Sequence, residues 1–474
     1  MNLQLPTQPS LDHLRAQAKD RLAALRQQDP AARLHQAQHT LARDYGFASW
    51  PRLIHHVEEV LLAASGNAKI LAVIERGILG GSDAKKSARA IGLHPVVTRL
   101  SAAGAAIALD YDALLAMLPS DVNAKLGEGK APALVYACAS PLARERDADM
   151  VRIVGELLRR GADPDASFIH PYDGGTPLSA LYCASGMARS PGATKLLLDA
   201  GANPNDNESL YHSTEVPEHD CLRLLLEAGA KFERTNAVLR MLDREDPTGL
   251  QLMLDYHPDL RYPNALVHAI RRGRSQAILD QLVTAGADPD LTTDFVTARQ
   301  LAFERGYSLP GEYEPSPADL LLAACWRGDV AEAGRLREEH ARLSTMRRKA
   351  FTGAIWLGRH ELIEAFFAGG FGHADRDDSH GTPLHAACFA GIPQSVEILL
   401  RHNPPLDDAT DVYNAIPLQW AMHASEHAPS DAPDADYAKI VAMLIAADSP
   451  RPVSLFGDDE VRVLLLERWP DLTV

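Results

Sequence analysis

Cysteine is scarce: the chain has five among 474 residues, an odd number, with none in a C-x-x-C pair. That argues against a disulfide framework and paired-thiolate zinc modules, and it fits free thiols in a reducing cytosol. Aromatic residues make up only 6%, so any that recur at a regular position carry weight. No run of about 20 apolar residues occurs, so no segment is expected to cross a membrane. The opening MNLQLPTQPSLDHLRAQAKDRL has no charged start followed by an apolar stretch. No secretory signal is therefore expected, and the expected compartment is cytoplasmic. Positive charge is in deficit, with a formal net charge of −16. A broad phosphate-backbone footprint is basic, so nucleic acid is not an expected partner.

What the chain does have is one order of signals, repeated. A closing phrase recurs as LLRRGADPD (157–165), LLLDAGANPND (196–206), LLLEAGAKFE (224–233), QLVTAGADPD (281–290) and LLRHNPPLD (399–407). Each reads as an apolar helix end stopped by Gly or Asn in the left-handed region, most with a proline soon after that blocks continuation. An opening phrase recurs as GGTPLSALYCASG (174–186), NALVHAIRRGR (264–274), VTARQLAFERG (296–306), DLLLAACWRGD (319–329), FTGAIWLGRH (351–360), GTPLHAACFAG (381–391) and IPLQWAMHAS (416–425). In its fullest form Thr-Pro starts a helix, with Pro in the first turn where its missing donor has no partner to lose. Small alanines follow, and a glycine ends the helix after about two turns. Helices this short do not stand alone in water, so neighbours must supply the buried face.

The pattern, above all TPLHAA at Thr382–Ala387 and the GADP endings, resembles the ankyrin repeat, whose period is about 33 residues. The resemblance implies an all-α solenoid of stacked helix pairs, preceded here by a small helical module. The expected divisions are 1–63, the N-terminal helical module; 64–125, a degenerate helical region and first repeat; 126–306, a first stack; 307–318, a Pro- and Glu-rich linker; 319–448, a second stack; and 449–474, a closing helix. The polar, charged VTARQLAFERGYS is expected to cover the exposed end of the first stack. SEHAPSDAPDADY (425–437) reads as a polar insertion. In the words LARDYGFASWPRL, the first 63 residues resemble a helical module that precedes repeats in some bacterial ankyrin proteins. They carry seven Lys/Arg against six Asp/Glu, a poor footprint for a DNA reader.

No catalytic, cofactor or metal set emerges. GGSDAKKS (80–87) lacks the Gly-Lys-Ser/Thr run of a phosphate loop and reads as a polar loop. Asp375, Asp377 and Asp378 lack the bidentate glutamate of a calcium loop and read as a solvated turn. His219 and Cys221 have no second ligand pair, and His55 and His56 face opposite ways on a helix. Cys325 and Cys388 share one repeat position, and Cys138 in LVYACAS is matched to it; all three read as small core side chains. By the ankyrin resemblance, His385 ties adjacent turns together.

One constellation points outward. Trp326, Trp356 and Phe389 each stand two residues before an inner-helix glycine, and Trp420 lies in the next inner helix. By the resemblance such positions line a concave groove, where aromatics serve as anchors for a partner. The alternative is that each ring fills space between stacked helices. On the sequence alone, a Trp326/Trp356 double alanine variant is expected to separate the two: lost binding with an unchanged thermal midpoint, or lost stability. Exposed turn residues would add polar contacts: Asp378, Ser379 and His380, and in the first stack Phe168, His170, Tyr172 and Asp173. The leading expectation is a non-catalytic scaffold that binds a protein partner. The competing classes are an effector with a small activity within 1–110 and a nucleic-acid-associated regulator working through 1–63.

Overall fold

The computed structural model describes residues 3–6, 9–27, 32, 34–170, 175–261, 264–427 and 435–472. The chain is 58% helix and 2% strand. Among the described residues the strands form one antiparallel hairpin, Ser167–Ile169 against Pro177–Ser179, with Phe168 opposite Leu178.

The helices start and stop where local chemistry directs. Thr382 caps Pro383–Ala390 in a reciprocal capping box with His385, Pro383 stands in the first turn, and Gly391 ends the helix at φ 75°. Ser316, Pro317, Asp319 and Gly328 repeat that arrangement around Pro317–Arg327. The closing glycines Gly161, Gly201, Gly229 and Gly286 all have positive φ. Beside each, the next residue's N–H reaches back five positions, as in Ala162 to Leu157 O at 3.0 Å and Ala287 to Leu282 O at 2.9 Å. That double closure satisfies helix-end carbonyls that would otherwise be orphaned. Asn403, at φ 50°, takes the left-handed position in LLRHNPP; its own N–H donates to Leu400 O at 3.2 Å, and Pro404 after it has no N–H to add the second bond.

Packing follows chain order over long stretches. Ser209–Ser213, Ala237–Leu242, Ala265–Arg271 and Ala298–Arg305 pack each on the next, as do Ala350–Trp356, Pro383–Ala390 and Pro417–His427. The buried apolar residues form two large clusters, one running from Ile70 to Ala302 and the other from Leu321 to Leu472. Between them Ala298–Arg305 packs directly on Pro317–Arg327. The polar segment VTARQLAFERGYS therefore covers no free end. Its Gln300 and Glu304 turn toward the following helices, because the neighbour supplies partners for them.

Two further expectations change. GGSDAKKS is not a loop: Gly80, at φ 73°, starts the helix Gly81–Leu93, and Ser87 is buried with its hydroxyl donating to Ile74 O at 2.6 Å. That bond fills the space left by Gly77, where an added Cβ would meet Ser87 Oγ at 2.4 Å. Within the 425–437 insertion, 428–434 lie outside the described residues. The N-terminal helices Leu11–Arg26, Leu34–Asp44 and Trp50–Ala64 form their own cluster, and Phe47 and Trp50 pack there. Leu34–Asp44 also packs on the closing helix Asp459–Arg468, burying Val463 among Leu22, Leu34 and Leu41, and Arg26 pairs with Glu467. The N-terminal module thus braces the C-terminal helix.

Candidate functional site

The rings placed before the helix-ending glycines separate into two environments. Trp356 ends its helix with 42% of its surface exposed, and its indole meets Phe389 at 5.6 Å between ring centroids, tilted by 61°. Phe389, half-buried, meets Trp420 at 5.8 Å and 76°. Edge-to-face contacts of this kind suit the ring quadrupoles. Trp326 stands apart from this series. It is 8% exposed, packs edge-on against Phe366 at 5.8 Å, and is covered by the Arg305 guanidinium at 4.1 Å from the ring centre. The expectation of an exposed ring at Trp326 is therefore corrected: two neighbours from its own chain already occupy it. Trp420 is also largely covered, and its indole N–H donates to buried Asp411 at 2.7 Å.

A cavity of about 520 Å³ opens on this row, lined by Trp356, Phe389, Trp420, Tyr413, His423 and Phe456. A second, of about 390 Å³, shares Trp356 and Ser379 with it and is walled by Trp326, Arg305, Arg347, Lys349 and Asp378. Tyr413 and His423 were not singled out in the sequence. His423 was legible by counting, because it stands seven residues after Ile416 as Phe389 stands seven after Thr382. Tyr413 is 69% exposed and meets Trp420 at 6.0 Å; it lies in a turn, where no helical count reaches it.

The turn residues fare unequally. Asp377 accepts the Ser379 and Gly381 N–H groups, each at 2.9 Å, which closes the turn and holds His380 at φ 60°. Asp378 is exposed and paired with Lys349, and Ser379 lines both cavities. His380 is exposed but lines neither cavity. His385 bonds the Ala415 carbonyl at 2.9 Å, and burial holds its imidazole below its usual range. In the first stack the expectation of an exposed Phe168 is corrected. It is 2% exposed, because the hairpin turns alternate residues inward. His170 is half-buried against Leu79 O, while Tyr172 and Asp173 lie outside the described residues.

Next to the groove is a cluster of charges that the sequence reading missed. Arg347 pairs with Glu304 and, at 2.6 Å, with Asp319, both buried. Tyr313 and Gln300 also donate to Asp319, at 2.7 and 2.8 Å. Burial pushes the Glu304 carboxyl up to about 7, with Arg347 opposing. Burial works against Asp319's charge as well, but hydrogen bonds from Gln300, Tyr313 and Ser316 prevail and hold it below the usual range. Arg305 donates to Ile270 O at 2.7 Å and Arg271 O at 3.0 Å. The only local signal was a glutamate inside LAFERG, and its burial depends on a residue 43 positions away.

The five cysteines are all free and buried. Burial pushes the Cys138 and Cys325 thiols up to about 12 and Cys221 to about 11, and raises Cys183 and Cys388 as well. At pH 8 a thiol at 12 is only about 10⁻⁴ ionised. Iodoacetamide at that pH is expected to leave the folded chain unmodified by mass spectrometry and to add five groups after denaturation. Rapid native alkylation at any one position would show an accessible thiolate there. Among the described residues no group of three His, Cys, Asp or Glu could hold a metal ion. No helix among the described residues is long and apolar enough to cross a membrane. No family model matches the chain, and no curated protein matches it.

Proposed function

We propose that this chain is a non-catalytic scaffold of the ankyrin-repeat type that holds a protein partner along the groove of Trp356, Phe389 and Trp420. The repeat assignment is supported by helix pairs that close on left-handed Gly or Asn and pack on their neighbours in chain order. The observation that carries the binding role is the exposed indole of Trp356 at the mouth of an aromatic cavity. A large ring left in water beside a concavity is the usual make-up of an interface anchor. Ser379 and Asp378 supply polar contacts at the rim. The N-terminal module, whose helix Leu34–Asp44 is already packed on Asp459–Arg468, is assigned a bracing role.

Peptides selected from a displayed random library on the full chain are expected to converge on this groove. Their affinity should fall about 30-fold or more on Trp356→Ala, as for an anchor worth about 2 kcal/mol. The thermal midpoint should move by no more than about 2 °C. Peptides from independent selections that bind the variant as tightly as the parent would remove the groove from the function.

A further inference from the structure

Trp326 and Trp356 occupy the same place in successive repeats, two residues before a left-handed glycine. Over the first ring sits the chain's own Arg305, its guanidinium carbon 4.1 Å from the ring centre. Over the second, among the described residues, no cation is centred, and the ring is 42% exposed. We propose that the cavity beside Trp356 takes an arginine side chain of a basic partner segment, its guanidinium lying on the open face of the indole. This rests on the scaffold reading and names the chemistry of the partner.

Four features favour a cation over an apolar side chain. The cavity wall contains no Lys or Arg, while its tilted rings turn π-faces in several directions. The Trp420 indole donates its N–H to the Asp411 carboxylate at 2.7 Å, and the Asp377 carboxylate shares a cavity wall with Trp356. An acceptor of that charge pushes electron density into the ring and adds negative potential behind it. The ammonium of Lys349, on the wall of the adjoining cavity, is taken up by Asp378. At longer range the net charge of −16 draws a basic segment in. Arginine is favoured over lysine because a planar, weakly hydrated guanidinium stacks on an indole, as Arg305 does next door.

The test uses the full chain labelled with 5-fluorotryptophan at pH 8. Its five tryptophans give separate fluorine resonances, and that of Trp356 is assigned by its loss in Trp356→Phe. N-acetylarginine amide, at matched ionic strength, is expected to shift the Trp356 signal saturably. Its uncharged isostere, N-acetylcitrulline amide, should bind about tenfold more weakly. The Trp326 signal, already capped by Arg305, should stay in place. Tyr413→Ala should weaken the arginine amide severalfold without changing the thermal midpoint, since Tyr413 is exposed. Equal affinity for the two amides would overturn the proposal and leave an apolar groove still open to a protein partner. The absence of any saturable shift overturns it too. Neither result touches the library selection, so the two readings fail separately.

Discussion

Arg347→Met is expected to loosen the boundary between the two apolar clusters while leaving each cluster folded. Arg347 sits between two buried carboxylates, Glu304 on the last helix of the first cluster and Asp319 on the first helix of the second. Removing one partner of a buried ionic set is costly because the remaining charge is left without compensation, typically by about 3–5 kcal/mol. Glu304 escapes part of that penalty by taking up a proton, which gives the loss a pH dependence. A carboxyl raised in the folded state binds more protons there than in the unfolded chain. Its stabilising contribution is therefore complete below its ordinary value, near 4.5, and is lost as pH rises through about 7. Asp319, held low, acts in the opposite sense and only at more acidic pH. The variant should thus be markedly weaker at pH 8 than at pH 6, and Glu304→Gln added to it should flatten the difference. Calorimetry at both values, with hydrogen exchange and limited proteolysis across 307–318, reads the effect. A loss below about 1 kcal/mol, the same at both pH values, would mean that the ionic set contributes little at this boundary.

Trp326→Ala and Trp356→Ala are expected to part company, although the two positions are equivalent in the repeat. Trp326 touches Phe366 and Arg305 and is nearly covered, so truncation leaves a cavity and should cost about 3–5 kcal/mol. Trp356 contacts Phe389 on one side and water on another, so its truncation should cost below about 1 kcal/mol. Denaturant titrations of the two single variants check this directly. Similar large losses would make both rings space-fillers. Similar small ones would show that the cover over Trp326 adds little. A Trp326/Trp356 double variant cannot separate binding from packing, because one of its members belongs to the core.

Most helix limits were legible because their signals are local; the opening phrase at 174–186 is the exception, since Pro177 stands in a strand and the helix begins after Ser179. A proline in the first turn, a serine or threonine one step before it, and a glycine with positive φ act on the backbone within a few residues, as at Thr382–Gly391. The tie made by His385 was expected from the ankyrin resemblance alone, because its bond to Ala415 O spans 30 residues and no local signal marks it. The hairpin at 167–179 was not legible: two three-residue strands carry too little periodicity, and only their pairing with each other marks them. The burial of Glu304 and Asp319 was missed because no local pattern marks it. Both look like solvent-facing charges until Arg347 arrives from a later helix.

By itself, the sequence determined that this chain is a series of short helices stopped by glycine, too short to persist unpaired, with aromatic side chains recurring at one position of the repeat. Tertiary structure alone decided which of those rings stay in water, that the polar end of the first cluster is an ionic junction, and that the first helices brace the last. Helix starts and stops follow from the conformational preferences of single residues. Exposure and ion pairing depend on which neighbour covers each face, and that neighbour lies tens or hundreds of positions away along the chain.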